Sequence, residues 1–194
     1  MIDMTKKNLE KTRATFLKLG EKEFKKYGYA NASTTRIVNA SGMARGSLYY
    51  HFTDKQDLFR AVYVHGMTDM ASQLQTVTDQ HDAPDIALIE LAKEYFKICA
   101  DPIMGKFLMV EPIAVLGADE CQDTSSKTIR PVLTTAMDNI IKMGGFKGRN
   151  KSMMAMFLFS SLTESGRIIS TLPSRKVAED QFFETFQWVL AKIL

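Results

Sequence analysis

Residues 33–58 read STTRIVNASGMARGSLYYHFTDKQDL. Ser33 or Thr34 can cap a helix, because a hydroxyl accepts from the free N–H groups of a first turn. Ile37 and Val38 supply that helix with an apolar face. Gly42 stands where the chain must turn, and positive φ is open to glycine at no steric cost. Met43 can plug the corner. A second short helix follows over about residues 44–51, with Leu48 and Phe52 four apart on one face. Arg45, Ser47, Tyr49, Tyr50 and His51 point in other directions. Gly46 lets a base edge or a phosphate approach closely, which would explain a residue that costs roughly 1 kcal/mol in a helix relative to alanine. Thr53-Asp54-Lys55-Gln56 reads as a capping box, with Thr53 at N-cap and Gln56 three residues later. Asp54 and Asp57 suit the positive end of the helix that follows. Two short helices about a glycine turn, the second with an aromatic and basic outer face, are the parts of a helix-turn-helix, which pushes one short helix into the DNA major groove.

Leu48 and Phe52 are core on this reading, since apolar residues at helical spacing more often pack than bind. Charge separates the two ends of the chain. Residues 1–60 carry twelve Lys or Arg against six Asp or Glu, whereas residues 61–194 carry thirteen against sixteen. A basic N-terminal third on an acidic remainder is an electrostatic footprint for phosphate binding. Lys18, Lys22, Lys25 and Lys26 read first as a solvated helix face. Lys6 and Lys7 precede the first helix and could reach a minor groove as an arm.

The segment resembles the DNA-binding unit of the TetR family of bacterial transcriptional regulators. The family's run is approximately T-x-x-I-A-x-x-A-G-V-S-x-G-x-L-Y-x-H-F-x-x-K-x-x-L. Here it is met by Thr34, Ile37, Gly42, Gly46, Leu48, Tyr49, His51, Phe52, Lys55 and Leu58. Val38 and Ser41 replace alanines, and Ala44 replaces the serine that commonly begins the recognition helix, which removes one cap or phosphate contact. The resemblance implies an all-α homodimer that binds a palindromic double-stranded operator and releases it when a small-molecule effector enters the second domain. It points to DNA contacts at Thr34, Thr35, Arg45, Gly46, Ser47, Tyr49, Tyr50, His51 and Lys55. Among these, Arg45 and Ser47 are best placed for base edges, while Thr35, Tyr49, Tyr50, His51 and Lys55 fall to phosphates.

The 194 residues, 45% hydrophobic and 24% charged, suit one or two globular domains. The start, Met1-Ile2-Asp3 and then lysines, is not a signal peptide. The longest uncharged apolar stretch, 152–163, falls short of the roughly 20 residues of a membrane span. A cytoplasmic protein with no membrane partner is expected. Cys99 and Cys121 lack metal-ligand spacing, and His51, His65 and His81 form no metal pattern. There is no phosphate-cradling glycine loop and no nucleophile motif. No enzyme, no metal and no cofactor are expected.

Helical periodicity runs the whole length. Leu9, Phe16, Leu17, Gly20, Phe24 and Tyr27 mark the face of a first helix that Gly28 can end. The helix after Thr53 carries Leu58, Phe59, Val62, Tyr63 and Met67 to about residue 80. It is the natural lever between a DNA-binding domain, 1–55, and a ligand-binding and dimerisation domain, 56–194. Further helices are expected over about 86–100, 103–116, 129–143, 151–171 and 177–194. The broken stretch 96–116 suggests an apolar cavity, with Phe96, Met104, Phe107, Met109, Glu111 and Ile113 as lining candidates and Met137 and Phe157 beside them. The effector expected there is apolar or amphipathic. Glu164 and Arg167 read as an internal ion pair or as charges exposed at a helix end. The family resemblance puts the dimer interface on the last two helices, with Ser161, Ser165 and Ser170 as small contact residues and Phe182, Phe186 and Val189 as bulk. An alternative is a DNA-binding activator or a regulator gated by a protein partner or by thiol redox.

Overall fold

Ser33 begins the second helix as its spacing suggests. In the computed structural model, which describes residues 2–146, 148 and 150–194, its Oγ accepts from the Arg36 N–H at 3.3 Å and its own backbone is extended. Gly42 ends that helix in the left-handed region, at φ +67°, where a side chain would be strained. The helices among the described residues are α1 (Ile2–Asn31), α2 (Thr34–Ser41), α3 (Arg45–His51), α4 (Lys55–Asp79), α5 (Pro84–Ala100), α6 (Glu111–Leu116), α7 (Ala118–Lys142), α8 (Lys151–Thr171) and α9 (Arg175–Ile193). A π-helical turn, Lys106–Val110, leads into α6. No strand occurs among the described residues, so the fold is all-α with an N-terminal helix-turn-helix.

The cap of α4 differs from the expected one. Asp54, not Thr53, is the N-cap, and its carboxylate accepts from the Asp57 N–H at 2.8 Å. Asp57 reaches back to accept from the Thr53 N–H at 2.9 Å. The box therefore closes through Asp57, one residue later than the hydroxyl reading. Gln56 is released from capping, and its amide donates instead to the Val115 carbonyl at 2.7 Å.

α1 is long and bent. Gly28 adopts φ +71° and ψ 164° inside it, which ends the regular helix as expected, and a short continuation runs to Asn31. Phe16, Leu17, Gly20 and Phe24 are buried, but Leu9 and Tyr27 at the ends of the expected stripe are exposed. Gly20 allows α1 to lie close on α4, since a Cβ there would sit 3.1 Å from Val62 Cγ2. Phe24 meets Phe59 edge-on with ring centroids 5.0 Å apart. The core of the N-terminal helical head thus takes Leu58, Phe59 and Val62 from α4, beyond residue 55.

α5 is the axis of the larger part, packing against α4, α7, α8 and α9. Leu88, Leu91, Ala92, Tyr95, Phe96 and Cys99 on it are all essentially buried, and each large apolar side chain so buried contributes about 1.5–3 kcal/mol. α7 starts eleven residues before the expected 129. Its first turns are polar, with Thr124 the buried residue of that part, so apolar periodicity does not announce them. Pro131 lies inside it on an exposed face, where water can satisfy the carbonyl left without a donor. The π turn has a related origin. The Glu111 N–H donates to Lys106 O, five residues back, and the next residue, Pro112, has no N–H to offer Leu108 O.

Close backbone approach fixes one position in the α5–π-turn corner. A Cβ on Gly105 would lie 2.1 Å from the Cys99 carbonyl oxygen, which is backbone and cannot swing aside. Gly105→Ala is expected to lower stability by about 1–3 kcal/mol, measured as a shift of the urea midpoint at unchanged m. An unshifted midpoint would show that the corner is looser than this geometry.

Candidate functional site

The outer face of α3 is the candidate nucleic-acid interface. Arg45, Gly46, Tyr49 and Tyr50 are exposed there, Tyr50 by 71%. The neighbouring Thr34 of α2 and Arg45 hold the Tyr49 phenol pKa below the ordinary tyrosine value. The Arg45 guanidinium also stands 5.5 Å from the Tyr49 ring centroid. A guanidinium and a phenol therefore stand together on the outer face of α3. No atom lies within 4 Å of the place a Cβ would take on Gly46, so the glycine leaves open surface on α3. Thr35 is exposed beside the turn and Ser47 half-buried.

His51 and Lys55 are turned differently. His51 is half-buried against Phe16, ring centroids 6.5 Å apart, with Tyr50 edge-on at 5.2 Å. Burial, and then the charge of Arg13, lower its pKa, so the imidazole is neutral near pH 7. Lys55 donates to the Ala30 carbonyl at 3.3 Å and lies 4.7 Å from the Tyr29 ring centroid. Burial lowers its pKa as well. Both residues tie the helix-turn-helix to α1.

A carboxylate outside the expected set organises this head. Glu23 is buried on α1 and accepts from the Ser33 N–H at 2.8 Å and from Arg36 Nε at 2.8 Å. Arg36 also donates to the Asn31 carbonyl at 2.7 Å. Burial alone would raise the Glu23 pKa, but the Arg36 and Ser33 hydrogen bonds outweigh it and the net shift is downward. The signal was present in the sequence: Glu23 falls three residues after Gly20, on the buried stripe of α1, where a charge needs a partner. Because its folded pKa is depressed, Glu23 contributes stability above the unfolded glutamate pKa, and that contribution is lost as pH falls through the folded value. Glu23→Gln is expected to cost about 1–3 kcal/mol at pH 7 and to flatten the acid limb below about pH 4.5. Thermal unfolding across pH 3–7 checks both, and parallel wild-type and variant curves would remove Glu23 from this role.

A cavity of about 430 Å³ opens in the larger part, reached by side chains of α4, α5, α7, α8, α6 and the π turn. Met67, Leu108 and Met109 give it an apolar floor. Tyr63, beside Cys121, and Tyr95, whose hydroxyl lies 3.8 Å from Met109 Sδ, add neutral polar groups. Burial pushes both phenols and both thiols, Cys99 and Cys121, upward, so they stay protonated near neutrality. Glu164 and Arg167 also line it, paired at 2.6 Å and exposed rather than internal.

Of the residues expected around a cavity, the structure brings Met109 and Ile113 to this one. The others go elsewhere. Phe96 packs on Phe182 and Phe186. Phe107 packs edge-on against Phe59. Met104 lines a groove of about 350 Å³ among α1, α4 and α5, and Met137 one of about 230 Å³ between α7 and α8. Glu111 faces α1, and Phe157 is 55% exposed on α8. The residues missed, Tyr63, Tyr95, Cys121 and Arg167, lie on four helices that only tertiary packing brings together. Among the described residues no group of three His, Cys, Asp or Glu could hold a metal ion, and no helix is long and apolar enough to cross a membrane.

The last two helices also differ from the expected contact set. Ser170 is buried and donates to the Cys99 carbonyl at 2.9 Å and the Gly166 carbonyl at 2.8 Å. Phe186 is buried and Phe182 half-buried, both against Phe96. These three serve the subunit's own core. Ser161, Ser165 and Val189 are half-buried, whereas Met153, Met156, Phe157, Val177 and Trp188 are more than half exposed.

Comparison with known proteins follows this geometry. The family model for bacterial regulatory proteins of the tetR family matches residues 16–62, from within α1 into α4. The HTH-type transcriptional repressor AcnR of Corynebacterium glutamicum is 35% identical over 129 residues, 66% of this chain and 66% of that protein. The HTH-type transcriptional regulator TtgR of Pseudomonas putida is 28% identical over 85 residues, 44% of this chain. The chain spans about 40% of the length of that relative. A TetR-family transcriptional regulator from Pectobacterium atrosepticum superposes with a TM-score of 0.85 at 24% identity, covering 96% of each chain. The family-model match to the helix-turn-helix and the 35% identity shared with AcnR over about two thirds of both chains decide the assignment: the chain belongs to the TetR family of bacterial regulatory proteins.

Proposed function

We propose that this protein is a transcriptional regulator, working as a repressor, whose homodimer binds a palindromic operator through α3 and releases it when a small amphipathic effector fills the cavity. The observation that carries the reading is the exposed α3 face of Arg45, Tyr49 and Tyr50, with Arg45 over the Tyr49 ring, beside a glycine with open space above it. Arg45 and Ser47 read base edges in the major groove, and Thr35, Tyr49 and Tyr50 hold phosphates. His51 and Lys55 contribute by fixing the head to α1 and add phosphate contacts from that position. The AcnR likeness supports the repressor sense, since that relative is named a repressor.

The cavity suits an uncharged or zwitterionic molecule of one or two rings. Its volume of about 430 Å³ lies in the range of small-molecule sites, its floor is apolar, and its phenols and the Cys121 thiol are neutral. The effector shifts the equilibrium only by its differential affinity for the DNA-binding and released states. In vitro selection of random duplex DNA with the purified protein tests the whole reading. A palindrome is expected, and recovery of no sequence from folded protein would end it. On the recovered site, Arg45→Ala is expected to relax preference at one position per half-site by about 1–3 kcal/mol. Uniform weakening across all sequences would instead assign Arg45 to a phosphate.

A second copy of the chain covers the exposed apolar face of α8 and α9, where Phe157, Val177 and Trp188 are more than half exposed. Two-fold symmetry there suits a palindromic site. Trp188→Glu is expected to convert the dimer to monomer in light scattering and to weaken operator binding while leaving the helical spectrum intact. A dimer that persists would move the interface off this face.

A further inference from the structure

We propose that Glu111 is a latch that joins the cavity to the DNA-binding head, an inference that rests on the regulator reading above. Glu111 opens α6 directly after the π turn. Two residues before it, Met109 lines the cavity, and two residues after it Ile113 does so too. Glu111 itself points the other way. Its Oε2 accepts from the Tyr29 N–H at 3.3 Å, one residue past the bend in α1. Its Oε1 lies 3.4 Å from Lys106 Nζ. The side chain is only 15% exposed.

Gly28 is shaped to this carboxylate. A Cβ there would stand 2.6 Å from Glu111 Oε1, and φ is +71°. The absence of a side chain at 28 thus serves the bend and the seat of the carboxylate together. Among the described residues, two other polar ties between the cavity's α6–α7 wall and the head reach α4, not α1. They are Gln56 Nε2 to the Val115 carbonyl at 2.7 Å and Arg60 Nε to Glu120 at 2.6 Å. Glu111 is therefore the polar tie from that wall to the helix on which the helix-turn-helix is built.

The π turn makes the tie movable. It carries one residue more per turn than an α-helix, and such turns are short and recur at functional sites. An occupant that displaces Met109 shifts the register of residues 106–110 and carries Glu111 off the Tyr29 amide. The head then loses its fixed angle to the body.

Two measurements test the latch, both on the full-length protein. The first is amide exchange of Tyr29 by nuclear magnetic resonance in the free protein. Exchange is expected to rise tenfold or more in Glu111→Ala and to stay near wild type in Glu111→Gln, whose amide oxygen still accepts. Unchanged exchange in Glu111→Ala overturns the latch whatever the protein binds. The second uses Ser125→Trp, on the cavity wall, as a built-in occupant. It is expected to change affinity for the selected operator at least fivefold in the wild-type background and less than twofold in Glu111→Ala. Equal effects in both backgrounds overturn the latch, and a large equal effect does so while leaving the effector reading intact. Thermal unfolding of each variant excludes a misfolded protein as the source of either result.

Discussion

The close contact of α1 with α4 at Gly20 is the constraint on which the rest of the molecule rests. α4 has 25 residues and is therefore about 37 Å long. Its first turns give Leu58, Phe59 and Val62 to the head, and its later turns give Met67, Met70 and Leu74 to the body. Because one helix supplies both cores, the head cannot tilt without moving α4. Any bulk at Gly20 would lever α1 from Val62 and Leu58. The polar ties at Gln56, Arg60 and Glu111 are strung around that same junction.

The head was legible in the sequence because its signals are local. A hydroxyl cap at Ser33, a left-handed glycine at Gly42 and apolar residues four apart at Leu48 and Phe52 each act within a few residues. The cap of α4 slipped by one because Thr53 and Asp54 are both capping residues, and only the position of the Asp57 carboxylate decides between them. α7 was half read. Residues 118–128 are polar, and a helix held by one buried threonine and by its neighbours gives no stripe to find.

The cavity was the least legible part, for a physical reason. Its floor and walls come from residues far apart in sequence, so Tyr63 and Tyr95 looked like ordinary core positions on their own helices. Phe96 and Phe107 met every local criterion for a lining residue and were instead used to join α5 to α9 and the π turn to α4. Ser170 looked like a small contact residue and became an internal hydrogen-bond donor. Glu23 was the opposite case, since a charge on a buried stripe is visible from spacing alone.

Trp188 is the chain's single tryptophan and stands 65% exposed on α9. Indole emission shifts to the blue and resists soluble quenchers when water is removed from around the ring. The protein therefore carries one indole, and it sits on the exposed face of the last helix, outside both the recognition helix and the cavity lining. Its colour reports what covers that face and is insensitive, to first order, to events at the other two. Burial of α9 can be followed by light alone, with no label, when the indole is excited to the red of the tyrosine absorption.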